Sequence, residues 1–171
     1  MRSSLLLLAL AGGLASACAG GGGDTNEVDV VVQSDLGNSA MLSGLIVRWA
    51  SGTVPVPDGA GFSNPHPVFP MTLAFRAPHP PFSLNLGFQL QAEETAPRDT
   101  LTIFRSLSDV EIVAGQRLMV PFPLFAKCAC VGTACAQPLG DPDCDDVITP
   151  VLEPFDPAVA SASPDQTFDV D

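Results

Sequence analysis

The chain has 171 residues, 46% of them hydrophobic, and sets 19 acids against 7 lysines and arginines for a formal net charge of −12. That length suits one domain of ordinary size with tails, and the acidic balance excludes the basic patch that binding to nucleic-acid phosphates requires. The acidity is unevenly placed: nine acids and no base stand between Asp141 and Asp171, against eight acids and six bases between Val28 and Lys127.

Residues 1–17 read as a signal peptide, with Arg2 ahead of an apolar run from Leu5 to Leu14. The run falls short of the roughly 20 residues a bilayer-spanning helix needs and has export-signal proportions. Ala15, Ser16 and Ala17 then precede Cys18, and Ala19 and the run Gly20 to Gly23 follow it. This stretch resembles the lipobox of bacterial lipoproteins, and the resemblance implies that Cys18 is acylated and becomes the new N-terminus. Ala15 departs from that pattern, which has an aliphatic residue three places before the cysteine, and an ordinary cleavage site obeying the small-x-small rule is the alternative. On the lipoprotein reading residues 18–27 are a lipidated, Gly-rich tether. The membrane partner is engaged through the lipid anchor, and the location is a bacterial outer membrane or cell surface.

Residues 28–126 alternate with period two. The clearest stretch is FSLNLGFQLQ, which puts Phe82, Leu84, Leu86, Phe88 and Leu90 on one face. VDVVVQ offers Val28, Val30 and Val32, GLIVRW offers Leu45, Val47 and Trp49, and MTLAF offers Met71, Leu73 and Phe75. Downstream, TLTIF, DVEIV and RLMVPFPL extend the set, the last with prolines that suit an edge strand. SDLGNS, PVPDGAG, APHPP, EETAPRDT and AGQ separate them as turns. Seven such strands without a helical stretch predict an all-β, antiparallel β-sandwich of immunoglobulin-like or transthyretin-like kind.

Two segments echo each other, NPHPVFPMTLAF from Asn64 and APHPPFSLNLGF from Ala77. If their strands were hairpin neighbours, His66 and His79 would stand side by side as weak candidates for metal ligation or acid–base work. The bland reading makes both solvated turn residues between prolines. Serine-hydrolase elbow, zincin and phosphate-loop motifs are all missing from the sequence.

Residues 127–144 hold Cys128, Cys130, Cys135 and Cys144. Outside the cytoplasm an even set of cysteines reads as a disulfide framework. A zinc knuckle has at least two residues between its cysteines, and only one separates Cys128 from Cys130. Side chains one residue apart point to opposite faces of an extended segment, so those two are poorly placed to bond each other. The expected pairings are Cys128–Cys135 with Cys130–Cys144, or Cys128–Cys144 with Cys130–Cys135. Asp141, Asp143 and Asp145 occupy the first, third and fifth positions of a calcium loop, but Asp146 stands where glycine is needed and Leu152 where the closing Glu belongs, which leaves a weak calcium candidate. Residues 145–171 form an acidic, Pro-rich tail expected to be flexible and disordered.

Signal, Cys18, the strand-rich middle, VVVQSDL and LFAKCACVGTAC together resemble a class of bacterial lipoproteins found in myxobacterial-type genomes. The resemblance implies an extracytoplasmic β-sandwich with a Cys-rich C-terminal segment and carries over no functional residues. The expected function is a surface-displayed binding or structural module, not an enzyme, with no cofactor, no small-molecule substrate and an envelope protein as partner. The alternative is a metal-dependent extracytoplasmic protein or enzyme using calcium or a His site. Sugar binding is disfavoured, because the chain has no Tyr and its one Trp, Trp49, sits in a core pattern.

Overall fold

Val28, Val30 and Val32 point inward from one sheet and meet Leu45, Val47, Leu84, Leu86 and Ile103 from another, all shielded from solvent in a single core cluster. The computed structural model describes residues 26–36, 42–51, 59–93, 100–131 and 141–170. The chain runs through β1 (Glu27–Ser34), β2 (Leu42–Ser51), β3 (Ala60–Asn64), β4 (Met71–Arg76), β5 (Phe82–Glu93), β6 (Thr100–Ile112), β7 (Arg117–Leu124), β8 (Cys130–Val131), β9 (Val147–Ile148), β10 (Glu153–Pro154) and β11 (Gln166–Asp169). The first sheet has the order β10-β7-β1-β4-β11, and the second β3-β2-β5-β6-β8, with β9 also beside β6. The chain is therefore an all-β sandwich.

Its sheets are mixed rather than purely antiparallel. β1 runs parallel to β7, β11 to β4 and β9 to β6. Pro121 and Pro123 sit in β7 past the short β10, which pairs only Leu118 and Met119, so their missing N–H groups cost no bond on that side.

TLTIF and DVEIV are one strand, not two. Between Leu107 and Val110 the inward spacing is three, and a bulge opposite Asn85 absorbs the extra residue. Asp109 takes φ 57° there, and its amide donates to Asn85 Oδ1 at 3.0 Å. β3, hidden in a Gly- and Pro-rich stretch, pairs with β2 along five residues. Gly59 makes this close approach possible, since a Cβ there would lie 1.9 Å from the Trp49 carbonyl oxygen.

The acidic tail is the main correction. Its described residues, up to Val170, form a strap around the sandwich instead of a disordered chain. β9 joins an edge of the second sheet, β10 an edge of the first, and β11 the opposite edge of the first. Phe168 then packs against Trp49, Phe62 and Phe75 with ring centroids 4.6, 5.4 and 5.2 Å away, and Val170 is 2% exposed. Aromatic area removed from water outweighs the scattered apolar composition that predicted disorder.

Candidate functional site

The cysteine segment closes one pole. After β7 a 3-10 turn, Ala126–Cys128, brings Cys128 to a disulfide with Cys144, at the end of a second such turn, Pro142–Cys144. Of the two expected pairings this agrees with Cys128–Cys144. Cys130 is also disulfide-bonded. Cys135 lies outside the described residues, as do Cys18, the expected signal peptide and residues 37–41, 52–58 and 94–99, where turns were expected.

The calcium candidate is occupied by the chain itself. Lys127 Nζ lies 2.8 Å from Asp141 Oδ2 and 2.7 Å from Asp143 Oδ2. Hydrogen bonds to Asp141 and Asp143 raise the Lys127 pKa, and the bond from Lys127 lowers that of Asp141. Asp145 contributes its backbone carbonyl to Arg105, 3.2 Å from Nε. Among the described residues no group of three His, Cys, Asp or Glu is placed to hold a metal.

The two histidines do not meet. β4 lies in the first sheet and β5 in the second, so the echoing segments are not hairpin neighbours. His66 precedes β4 and His79 follows it, both exposed, at opposite ends of that strand.

The most unusual electrostatics lie under the strap. Glu27 and Asp29 point to the outer face of β1, yet are only 1% and 0% exposed. Arg117 Nε donates to Asp29 Oδ2 at 2.7 Å and lies 2.9 Å from Glu27 Oε1, while Arg76 pairs with Glu27 Oε2. Among the described residues Glu27 Oε1 and Asp29 Oδ1 accept no hydrogen bond. Burial dominates at Asp29 and pushes its pKa up against the pull of Arg117. Burial alone would lower Arg117, but its hydrogen bond and ion pairs with Asp29 and Glu27 outweigh it and raise the pKa. Above the cluster, Arg117 stacks on the Phe155 ring at 3.8 Å from its centroid, and Phe155 joins Val31, Met119 and Ala160 in a small apolar cluster.

The second sheet presents its outer face differently. Ile46 and Arg48 of β2, Gly87 and Gln89 of β5, and Phe104 of β6 line a concavity of about 380 Å³ bordered by Asp146. Phe104 is 45% exposed, unusual for a large ring in mid-strand. Its neighbour Arg105 turns the other way and is buried, donating from one terminal nitrogen to the Pro123 carbonyl at 2.7 Å. Burial lowers the Arg105 pKa, against the fields of Asp143, Asp145 and Asp146. TLTIFR carried a legible signal for both residues, an apolar ring at an outward position and a cation at an inward one. No family model, curated protein or solved structure matches the chain.

Proposed function

We propose that the protein is a non-catalytic binding module held at a bacterial envelope by acylated Cys18, and that it engages a protein partner on the outer face of the second sheet. One observation carries the reading: the chain's own strap covers the outer face of the first sheet, while among the described residues the concavity around Phe104 is left open. An exposed aromatic set in a shallow apolar depression with polar groups at its rim is the chemistry of a protein contact. The metal or enzyme alternative has less support, because its histidines stand apart and Lys127 engages two of its three aspartates.

Anchoring would also orient the module. Asn26, at the start of β1, bonds Ala77 and Gly115 at one pole, and the disulfide-closed segment follows β7 at the other. Eight residues from Cys18 reach at most about 28 Å, so the Cys-closed pole would face away from the membrane. The test places a photo-crosslinking residue at Phe104, with Val151, 78% exposed on the strap, as control. A protein adduct from position 104 alone is expected; identical adducts from both positions, or none from either, overturn the reading. Alkyne fatty-acid labelling of wild type but not of Cys18→Ser checks the anchor, and equal labelling refutes it.

A further inference from the structure

Strands in register place their outward side chains in rows across a sheet, and two such rows cross the middle of the outer face of the second sheet. In the first row Arg48 on β2 is paired with Gly61 on β3 and Gly87 on β5, Gly87 with Ser106 on β6, and Ser106 with Val147 on β9. In the second, Ile46 is paired with Ser63 and Gln89, and Gln89 with Phe104. Exposed Val147 and Phe104 stand on the β6–β9 side, whereas Gly61 and Gly87 leave gaps on either side of Arg48. Glycine inside a strand weakens it and often marks a close approach by another backbone. Among the described residues nothing requires glycine at 61, where a Cβ would make only ordinary contacts, 3.5 Å from the Val47 carbonyl oxygen and 3.6 Å from Arg48 Cγ.

Resting on the reading of the Phe104 face as a protein contact, we propose that its occupant is a second copy of this chain, packed about a two-fold axis that runs along the strands over β5. Such an axis keeps the height of every residue and exchanges the two sides of the sheet, so the same patch serves both copies. β2 then faces β6 of the second copy, and β3 faces β9. Phe104 of each copy meets Ile46 of the other, Val147 enters the gap above Gly61, and Arg48 reaches Ser106 and Asp146. Gly87 and Gln89 meet their own counterparts at the axis, where Gly87 lets the two backbones approach. Packed sheets lie roughly 10 Å apart and are turned by about 30°, which displaces neighbours one strand from the axis by only about 3 Å.

Charge obeys the same symmetry. Besides the inward-turned Arg105, the charged residues bordering the concavity are Arg48 and Asp146, one of each sign, and the two-fold pairs them twice. Arg48 already has a partner within its own chain, and the five donors of its guanidinium can serve a second. The net charge of −12 opposes association, but many of the acids that carry it stand elsewhere. Asp141 and Asp143 lie against Lys127, and Asp156, Asp165 and Asp169 along the strap. Their repulsion across a dimer is largely screened beyond the Debye length of about 8 Å at physiological salt. The axis also points both N-terminal poles the same way, so two acylated Cys18 residues would enter one membrane.

The lipidated protein, in a large excess of detergent micelles so that chains seldom share one by chance, is followed by sedimentation and by a photo-crosslinking residue at position 104. A monomer–dimer equilibrium is expected, with an adduct of twice the chain mass that joins position 104 to β2 around Ile46. Gly61→Val, whose Cβ the fold accommodates, weakens the dimer about tenfold by filling the gap that Val147 enters. Val147→Lys, at an exposed position, produces a comparable loss from the other side of the contact without touching the core. Asp146→Asn weakens the dimer about 2–10-fold, as for two exposed ion pairs. A monomer at about 100 μM, a homodimer adduct that maps away from β2, or a dimer unaffected by both Gly61→Val and Val147→Lys would overturn the proposal. An adduct from position 104 to a different protein, without a dimer, overturns the second copy and leaves the Phe104 face standing as a protein contact, whereas no adduct of any kind overturns both.

Discussion

Phe168→Ala is the most direct probe of whether the acidic tail is part of the fold. The ring is half-buried and touches three aromatic side chains from β2, β3 and β4, with centroid separations of 4.6 to 5.4 Å. A fully buried Phe→Ala change costs about 3–5 kcal/mol. The partial exposure of Phe168 brings the expected loss to about 2–3 kcal/mol, enough to lower the melting temperature by about 4–12 °C in a domain of this size. Substitution is preferred to truncation, because deleting β11 would also release the ordering entropy of its backbone and mask the contact. Urea unfolding followed by circular dichroism supplies the measurement, with Val159→Ala, at a 41% exposed strap position, as a control within about 0.5 kcal/mol of wild type. The urea slope should stay constant, since the mutant unfolds from the same compact state. A loss below about 0.5 kcal/mol for Phe168→Ala would mean that β11 does not dock in solution, and the packing argument for the strap would be wrong.

Replacing both Cys128 and Cys144 by serine should cost about 3 kcal/mol, as for a closed loop of some 16 residues, and peptide mapping should find Cys130 joined to Cys135; a Cys130–Cys144 peptide refutes the connectivity. Gly59→Ala should detach β3 from β2, because its Cβ has no room beside the Trp49 carbonyl, and faster amide exchange confined to residues 60–64 would report it; unchanged exchange there refutes the close approach. The Asp29 pKa is raised above its ordinary 3.8, so between that value and the folded one the native state holds a proton the unfolded chain has lost. Stability contributed by that proton therefore falls as pH rises through this window. Asp29→Asn should flatten the fall in urea melts, and an unaltered pH profile counts against burial as the dominant influence. Arg117→Met should cost about 3 kcal/mol at neutral pH by leaving Glu27 and Asp29 uncompensated, with part of the loss recovered in acid as Asp29 takes up a proton; a near-neutral substitution would show that the ion pairs do not form.

Strands whose pattern matched their burial were legible in the sequence. β5 alternates without a fault, and Leu84, Leu86, Phe88 and Leu90 are all buried. β6 was read as two strands because period two breaks at Leu107 and Val110, and a bulge is invisible to a rule that counts residues along one strand. β11 escaped because its apolar content is Phe168 followed by Val170, too little to make a pattern; their burial is set by partners on β2, β3 and β4. The electrostatic cluster was missed for a related reason. Acids at outward positions of β1 describe a solvated face on any local reading, and only the strap, 126 residues further on at Phe155, turns them into buried groups. Of the candidate site residues, the Cys128–Cys144 bridge was one of the pairings the cysteine spacing left open, whereas the acidic loop needed the position of Lys127, which has no sequence motif to announce it.

Arg117 explains how the strap finds its place. Its guanidinium contacts Asp29 below, the Phe155 ring above at 3.8 Å, and the Ser161 carbonyl at 3.5 Å. Beyond Ser161, Thr72 and Asp165 exchange hydrogen bonds at 2.7 and 2.8 Å, which set the register in which β11 enters beside β4. A strap without these polar fixtures would have, among the described residues, only Phe155 and Ala160 to hold it on this face of the sheet, and small apolar contacts tolerate sliding where a buried ion pair does not. The polar cluster thus supplies position more than stability. Both faces of the sandwich begin as alternating strands with equal claim to solvent, and it is the C-terminal sequence that covers one with Phe155 to Ser161, while among the described residues Phe104 on the other stays 45% exposed.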